Sequence, residues 1–132
     1  MNATFEEINS NLQKKFYKMN ELQDLTKQMG QMLQINDLYA FGMIMKMRTE
    51  AMIEIENFNY AIDDLLETMS ESDQMAIRNV LQKPLEEKKV ADEKLQQMLE
   101  LSRRIARCLE RTIELDKPVN MKIAGKKSFY NK

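Results

Sequence analysis

Residues able to do chemistry are few here, and their types point away from catalysis. The 132 residues include no histidine, which removes the usual general base at neutral pH and the commonest metal ligand. No glycine-rich phosphate loop, nucleophile elbow or two-cysteine motif occurs. Cys108 is the single cysteine, so neither an internal disulfide nor a cysteine-based zinc site is available. At helical spacing among Leu101, Ile105 and Leu109, it reads as a small core residue. Asp63, Asp64 and Glu67 bring three carboxylates together, but on one helix without loop ligands they read as solvent-facing charges. The sequence predicts no enzyme, no metal and no cofactor. Methionine, by contrast, is abundant, with twelve residues. Because its side chain is unbranched and polarisable, a cluster such as Met43, Met45, Met47 and Met52 suits a surface that receives a foreign apolar helix. Met45 and Met52 fit an internal core better, and Met43 fits the surface.

The elements that carry these side chains follow from a seven-residue apolar repeat. From Leu38 to Met69 the a and d positions are Leu38, Phe41, Met45, Arg48, Met52, Ile55, Asn59, Ile62, Leu66 and Met69, polar only at Arg48 and Asn59. That pattern predicts one long helix. Ile44, Ala51, Phe58 and Leu65 at g widen the stripe, so the helix is expected to pack on two neighbours. The b positions, at 100° per residue on the far side, hold Tyr39, Ile53 and Tyr60, with Met43 nearby at f. An apolar second face requires something else to pack against it.

The fold class this implies is all-α, an elongated antiparallel helical bundle or coiled coil of three helices, or four if Pro84 breaks the third. Three glycines, two prolines, 43% hydrophobic and 31% charged residues suit a helix-rich chain. Thr4 and Glu7 form a capping-box pattern before Phe5, Ile8, Leu12, Met19, Leu22, Met29 and Leu33, which predicts a first helix from about residue 4 to 33. Asn36 and Asp37 cap the next helix after a tight reversal. The two antiparallel helices are about 45 Å long. Ser70 or Ser72 caps the third stretch, which starts near Asp73 and is either broken or kinked at Pro84. Arg103, Arg104, Arg107 and Arg111 alternate with Glu100, Glu110 and Glu114, which reads as a salt-bridged surface and not a nucleic-acid stripe.

Residues 1–116 are expected to form the bundle domain, and 117–132 a flexible basic tail. The last sixteen residues contain five lysines and no acid, whereas the whole chain carries −1. Pro118 and Gly125 make this segment a poor helix. Phe129 and Tyr130 place two aromatics near its end, where a partner would be needed to cover them. No stretch reaches the roughly 20 apolar residues of a membrane span, and Met1 to Ser10 lacks the layout of a secretion signal. The expected location is the cytoplasm, with no membrane insertion.

Several features together resemble a known family. They are the length, the lack of His and Trp, a first helix of heptads, the turn Asn36-Asp37-Leu38, and the run Ile44-Met45-Lys46-Met47-Arg48 leading to Met52-Ile53. The end, Gly125-Lys126-Lys127-Ser128-Phe129-Tyr130-Asn131-Lys132, adds a glycine, a spacer and paired aromatics. The chain resembles the small flagellar export chaperones of the FlgN and FliT type. That resemblance implies a cytoplasmic helical chaperone that binds a helical segment of a late flagellar axial protein, either a hook-filament junction or a filament cap protein. It would prevent premature assembly and deliver its client to the type III export apparatus. Its partner-binding residues are then expected to be Tyr39, Met43, Ile53, Tyr60, Phe129 and Tyr130. The alternative is a homodimeric structural coiled-coil or adaptor protein without a secretion client. Either a monomer or a homodimer is compatible with the pattern.

Overall fold

Seven apolar residues on one stripe make the first helix, and the remaining chain is built around it. A computed structural model describes residues 3–130, with side chains through Ile123. Among these residues there are four helices and no strand: α1 (Ala3–Gln34), α2 (Leu38–Glu67), α3 (Glu71–Leu81) and α4 (Glu93–Tyr130). The fold is an all-α helical bundle. Phe5, Ile8, Leu12, Met19, Leu22, Met29 and Leu33 are all buried on α1, joined by Leu25 and Thr26. The buried Thr26 hydroxyl is satisfied by donating to the Leu22 carbonyl at 2.8 Å. α2 and α4 each pack along α1, while α3 packs on α4. The helix begins one residue before Thr4, so Thr4 lies in the first turn and not at the expected cap.

The reversal after α1 falls where the polar residues predict it. Asn36 adopts a left-handed φ of 59°, its N–H donates to Leu33 O at 3.2 Å, and the Asp37 N–H donates to Met32 O at 2.9 Å. These two bonds form a Schellman motif that satisfies the last carbonyls of α1. Asp37 then caps α2, its Oδ1 accepting from the Ala40 N–H at 3.0 Å. Ser70 caps α3 in the same way, its Oγ accepting from the Asp73 N–H at 3.2 Å.

Pro84 breaks the chain. α3 ends at Leu81, Gln82 turns to an extended ψ of 134°, and Lys83, the residue before Pro84, takes a left-handed φ of 48° outside the right-handed helical region. Residues 82–92 form an irregular connector. Arg103 fastens this connector to α4, donating from Nε to Pro84 O at 2.8 Å and from Nη2 to Glu86 O at 3.4 Å. α4 starts beside the N-terminus of α1, where Lys94 lies 3.4 Å from Glu6, and passes its C-terminus, where Lys122 Nζ donates to Leu33 O at 3.1 Å. The two helices are therefore parallel.

Two expectations are corrected. The first concerns residues 117–132, where composition predicts a poor helix; α4 instead continues through Pro118. Proline removes one helical hydrogen bond, a penalty of about 3 kcal/mol in a helix interior. Packing on α1 offsets it: Val119 is buried with Met29, Leu33 and Phe41 in a small second core, and Lys122 caps the end of α1.

The second correction is the register of α2. Apart from the small Ala40 and Ala61, its buried and half-buried positions are Phe41, Ile44, Arg48, Ala51, Ile55, Phe58, Ile62 and Leu65, together with Leu66. These are the d and g positions, not a and d. α2 packs extensively on one neighbour, α1, and not on two. One neighbour covers a narrower arc than the apolar stripe spans, so the a-line rolls out to solvent. Leu38, Met45 and Met52 are 57%, 41% and 50% exposed, which overturns the core assignment of Met45 and Met52.

Candidate protein-docking surface

The exposed side of α2 gathers most of the residues that the sequence singles out. Tyr39, Met43, Ile53 and Tyr60 are 81%, 51%, 54% and 60% exposed. Tyr39 and Met43 are one helical turn apart, while Ile53 and Tyr60 lie on the same line as Tyr39 at multiples of seven residues. Leu38, Met45 and Met52 flank that line. The heptad reading assigned these three to the core, yet the stripe's excess width was the signal that could have placed them outside. An apolar strip of this kind, about six turns long and interrupted at Lys46, marks a surface for another molecule. Phe129 and Tyr130 have side chains outside the described residues.

Polar groups near the strip are arranged simply. Tyr60 donates from its hydroxyl to Glu56 Oε1 at 3.1 Å, and this bond to a carboxylate holds the phenol above its ordinary pKa. Lys18 reaches across from α1 to Glu54 at 2.7 Å and also to Glu21 at 2.8 Å, which raises its pKa. Asp63, Asp64 and Glu67 are exposed to solvent; no group of three or more metal-ligating side chains occurs among the described residues.

Gly42 sits within the strip, and a Cβ built there meets nothing within 4 Å. Gly42→Ala is therefore expected to stabilise the free chain by about 0.5–1 kcal/mol through helix propensity. Thermal melting followed by circular dichroism checks this, and a destabilised variant would show that another group packs on Gly42.

Away from α2 the remaining candidates have structural roles. Cys108 is fully buried between α4 and α1, its Sγ 3.1 Å from Gln23 Oε1. Burial pushes its thiol pKa up, against smaller opposing effects of Arg111 and Thr112, so it stays protonated and unreactive. Arg48, the polar d residue, crosses to α4. Its Nη2 donates to Asp116 Oδ2 at 3.0 Å and its Nη1 lies 2.9 Å from Oδ1. Arg103, one of the four arginines considered for nucleic acid, is occupied by the connector carbonyls.

Fold and surface together define a helical bundle with an apolar helix face exposed among the described residues. Comparison of the chain with protein-family models, with curated proteins and with solved structures found no match. Among the described residues, no helix is long and apolar enough to cross a membrane.

Proposed function

We propose that this chain is a cytoplasmic export chaperone that masks an amphipathic helical segment of a client protein along α2. One observation carries the reading: Tyr39, Met43, Ile53 and Tyr60, with Leu38, Met45 and Met52, line an apolar strip left exposed among the described residues. A client whose own assembly buries an apolar helical stripe is kept apart from its copies when a substitute stripe is offered, and three exposed methionines let that substitute adapt to more than one shape. The resemblance to flagellar export chaperones supplies the client class, a late axial protein of the hook-filament junction or filament cap, and the destination, the type III export apparatus. Capture with the tagged chain from its source cell, followed by mass spectrometry, tests this. A flagellar axial protein as the main partner supports the assignment, and any other main partner contradicts it. The homodimeric alternative uses the same strip, and a stable dimer in solution that persists when client is added would favour it.

A further inference from the structure

α3 reaches only part of the way along the bundle, and beside it a groove of about 390 Å³ opens over α1, between α2 and α4. Its apolar lining includes Leu12, Ile62, Leu66 and Ile105. Beyond the lining, α2 and α4 carry further exposed apolar residues. Met52 lies one heptad before the lining residue Asn59, and Ile113 one turn after the lining residue Leu109; Met52, Leu109 and Ile113 are all about half exposed. From Ser102 to Asp116, where Arg48 bridges from α2, the distance along α4 is about 21 Å, or four helical turns. α3 is itself a short helix packed beside α4.

The polar groups of the groove say what else the occupant carries. Lys15 is half-buried, and among the described residues no carboxylate lies within ion-pair distance of it. Burial pushes the ammonium below its ordinary pKa, with the charge of Asp63 only partly opposing. Arg78 is held loosely, 3.8 Å from the exposed Asp63 carboxylate and 3.5 Å from Gln74 Oε1. Ser102, 5% exposed, has a buried Oγ with no hydrogen-bond partner. Two cations, one acid and an unpaired hydroxyl line the same apolar groove, so the group that complements it is a negatively charged hydrogen-bond acceptor.

We propose that this groove receives an aliphatic helical segment of the partner protein that carries an acidic residue beside its apolar stripe, with that carboxylate held by Lys15 and Arg78. The proposal rests on the helix-masking reading above and places a second contact with the same partner, since none of Tyr39, Met43, Ile53 and Tyr60 lines the groove.

Three labelled 16-residue amphipathic peptides test it, alike in a leucine and methionine stripe and differing only in Glu, Gln or Lys next to that stripe. Fluorescence anisotropy should rank them Glu, then Gln, then Lys, with about tenfold between the first two. In the Lys15→Met and Arg78→Met double variant the ranking should collapse; the fold of this variant is checked by circular dichroism. Should it fail to fold, Lys15→Gln alone must reduce the preference for Glu. Equal affinities in the parent chain, or a ranking retained in the variant, would overturn the carboxylate site while leaving helix masking intact. No binding of any peptide would overturn both.

Discussion

Leu66→Ala is expected to lower the stability of the free chain by about 2–5 kcal/mol, whereas Ile53→Ala should change it by less than about 0.5 kcal/mol. Both residues are on α2, thirteen positions apart, and both are large aliphatics. Leu66 is 1% exposed and belongs to the main core with Ile62, Ile77, Val80 and Leu99. Ile53 is more than half exposed, so its truncation removes little buried surface and leaves no cavity. Urea denaturation followed by circular dichroism measures both. Equal losses would mean that Ile53 is covered in the free chain and that the α2 strip is not a surface.

A second large effect is expected where α2 and α4 meet through the Arg48–Asp116 pair. Their side chains are 19% and 21% exposed, the Arg48 Nε has no hydrogen-bond partner, and Asn120 adds one longer bond to Asp116 at 3.3 Å. Arg48→Ala would strand a mostly buried carboxylate and should destabilise the chain by about 2–4 kcal/mol. Replacing both partners, Arg48→Met with Asp116→Leu, removes the stranded charge and should restore stability to within about 1 kcal/mol of the parent. The double-mutant cycle read from denaturation midpoints decides this. A double variant as unstable as Arg48→Ala would show that the pair itself, and not the orphaned charge, carries the energy.

The parts of the fold legible in the sequence are those set by local rules. Every apolar heptad residue of α1 named by its spacing is buried, and Asp37 and Ser70 cap the helices that their side chains predict. The position of the third break followed from Pro84, whose preceding residue cannot remain helical. What spacing could not say was how many neighbours α2 has. A seven-residue repeat records which residues share a side, but burial depends on how far the next helix reaches. α1 covers d and g, α3 is too short to cover the a-line beyond Leu66, and Met45 and Met52 are left outside. The same limit applies to residues beyond Lys117. Proline and glycine counts describe helix propensity, whereas Val119 and Lys122 hold α4 to α1 by tertiary contacts that propensity does not register.

For the candidate surface, Tyr39, Met43, Ile53 and Tyr60 were identifiable because apolar residues opposite a complete apolar stripe need a second explanation. Lys15, Arg78 and Ser102 were not identifiable in this way. They come from three different helices, and only the packing of α4 along α1 and of α3 on α4, with the reach of Arg78 toward Asp63, brings them to one groove.

The central claim is that α2 offers its exposed strip to a helical client. Its most direct test is isothermal calorimetry of the captured partner's terminal helical segment against the parent chain and against Ile53→Asp combined with Tyr60→Asp. Both substitutions are on exposed positions, so the variant should keep its melting temperature within a few degrees. Its affinity for the segment should fall by at least about a hundredfold, since two charges would be pressed into an apolar contact. Unchanged affinity in a folded variant would contradict the account.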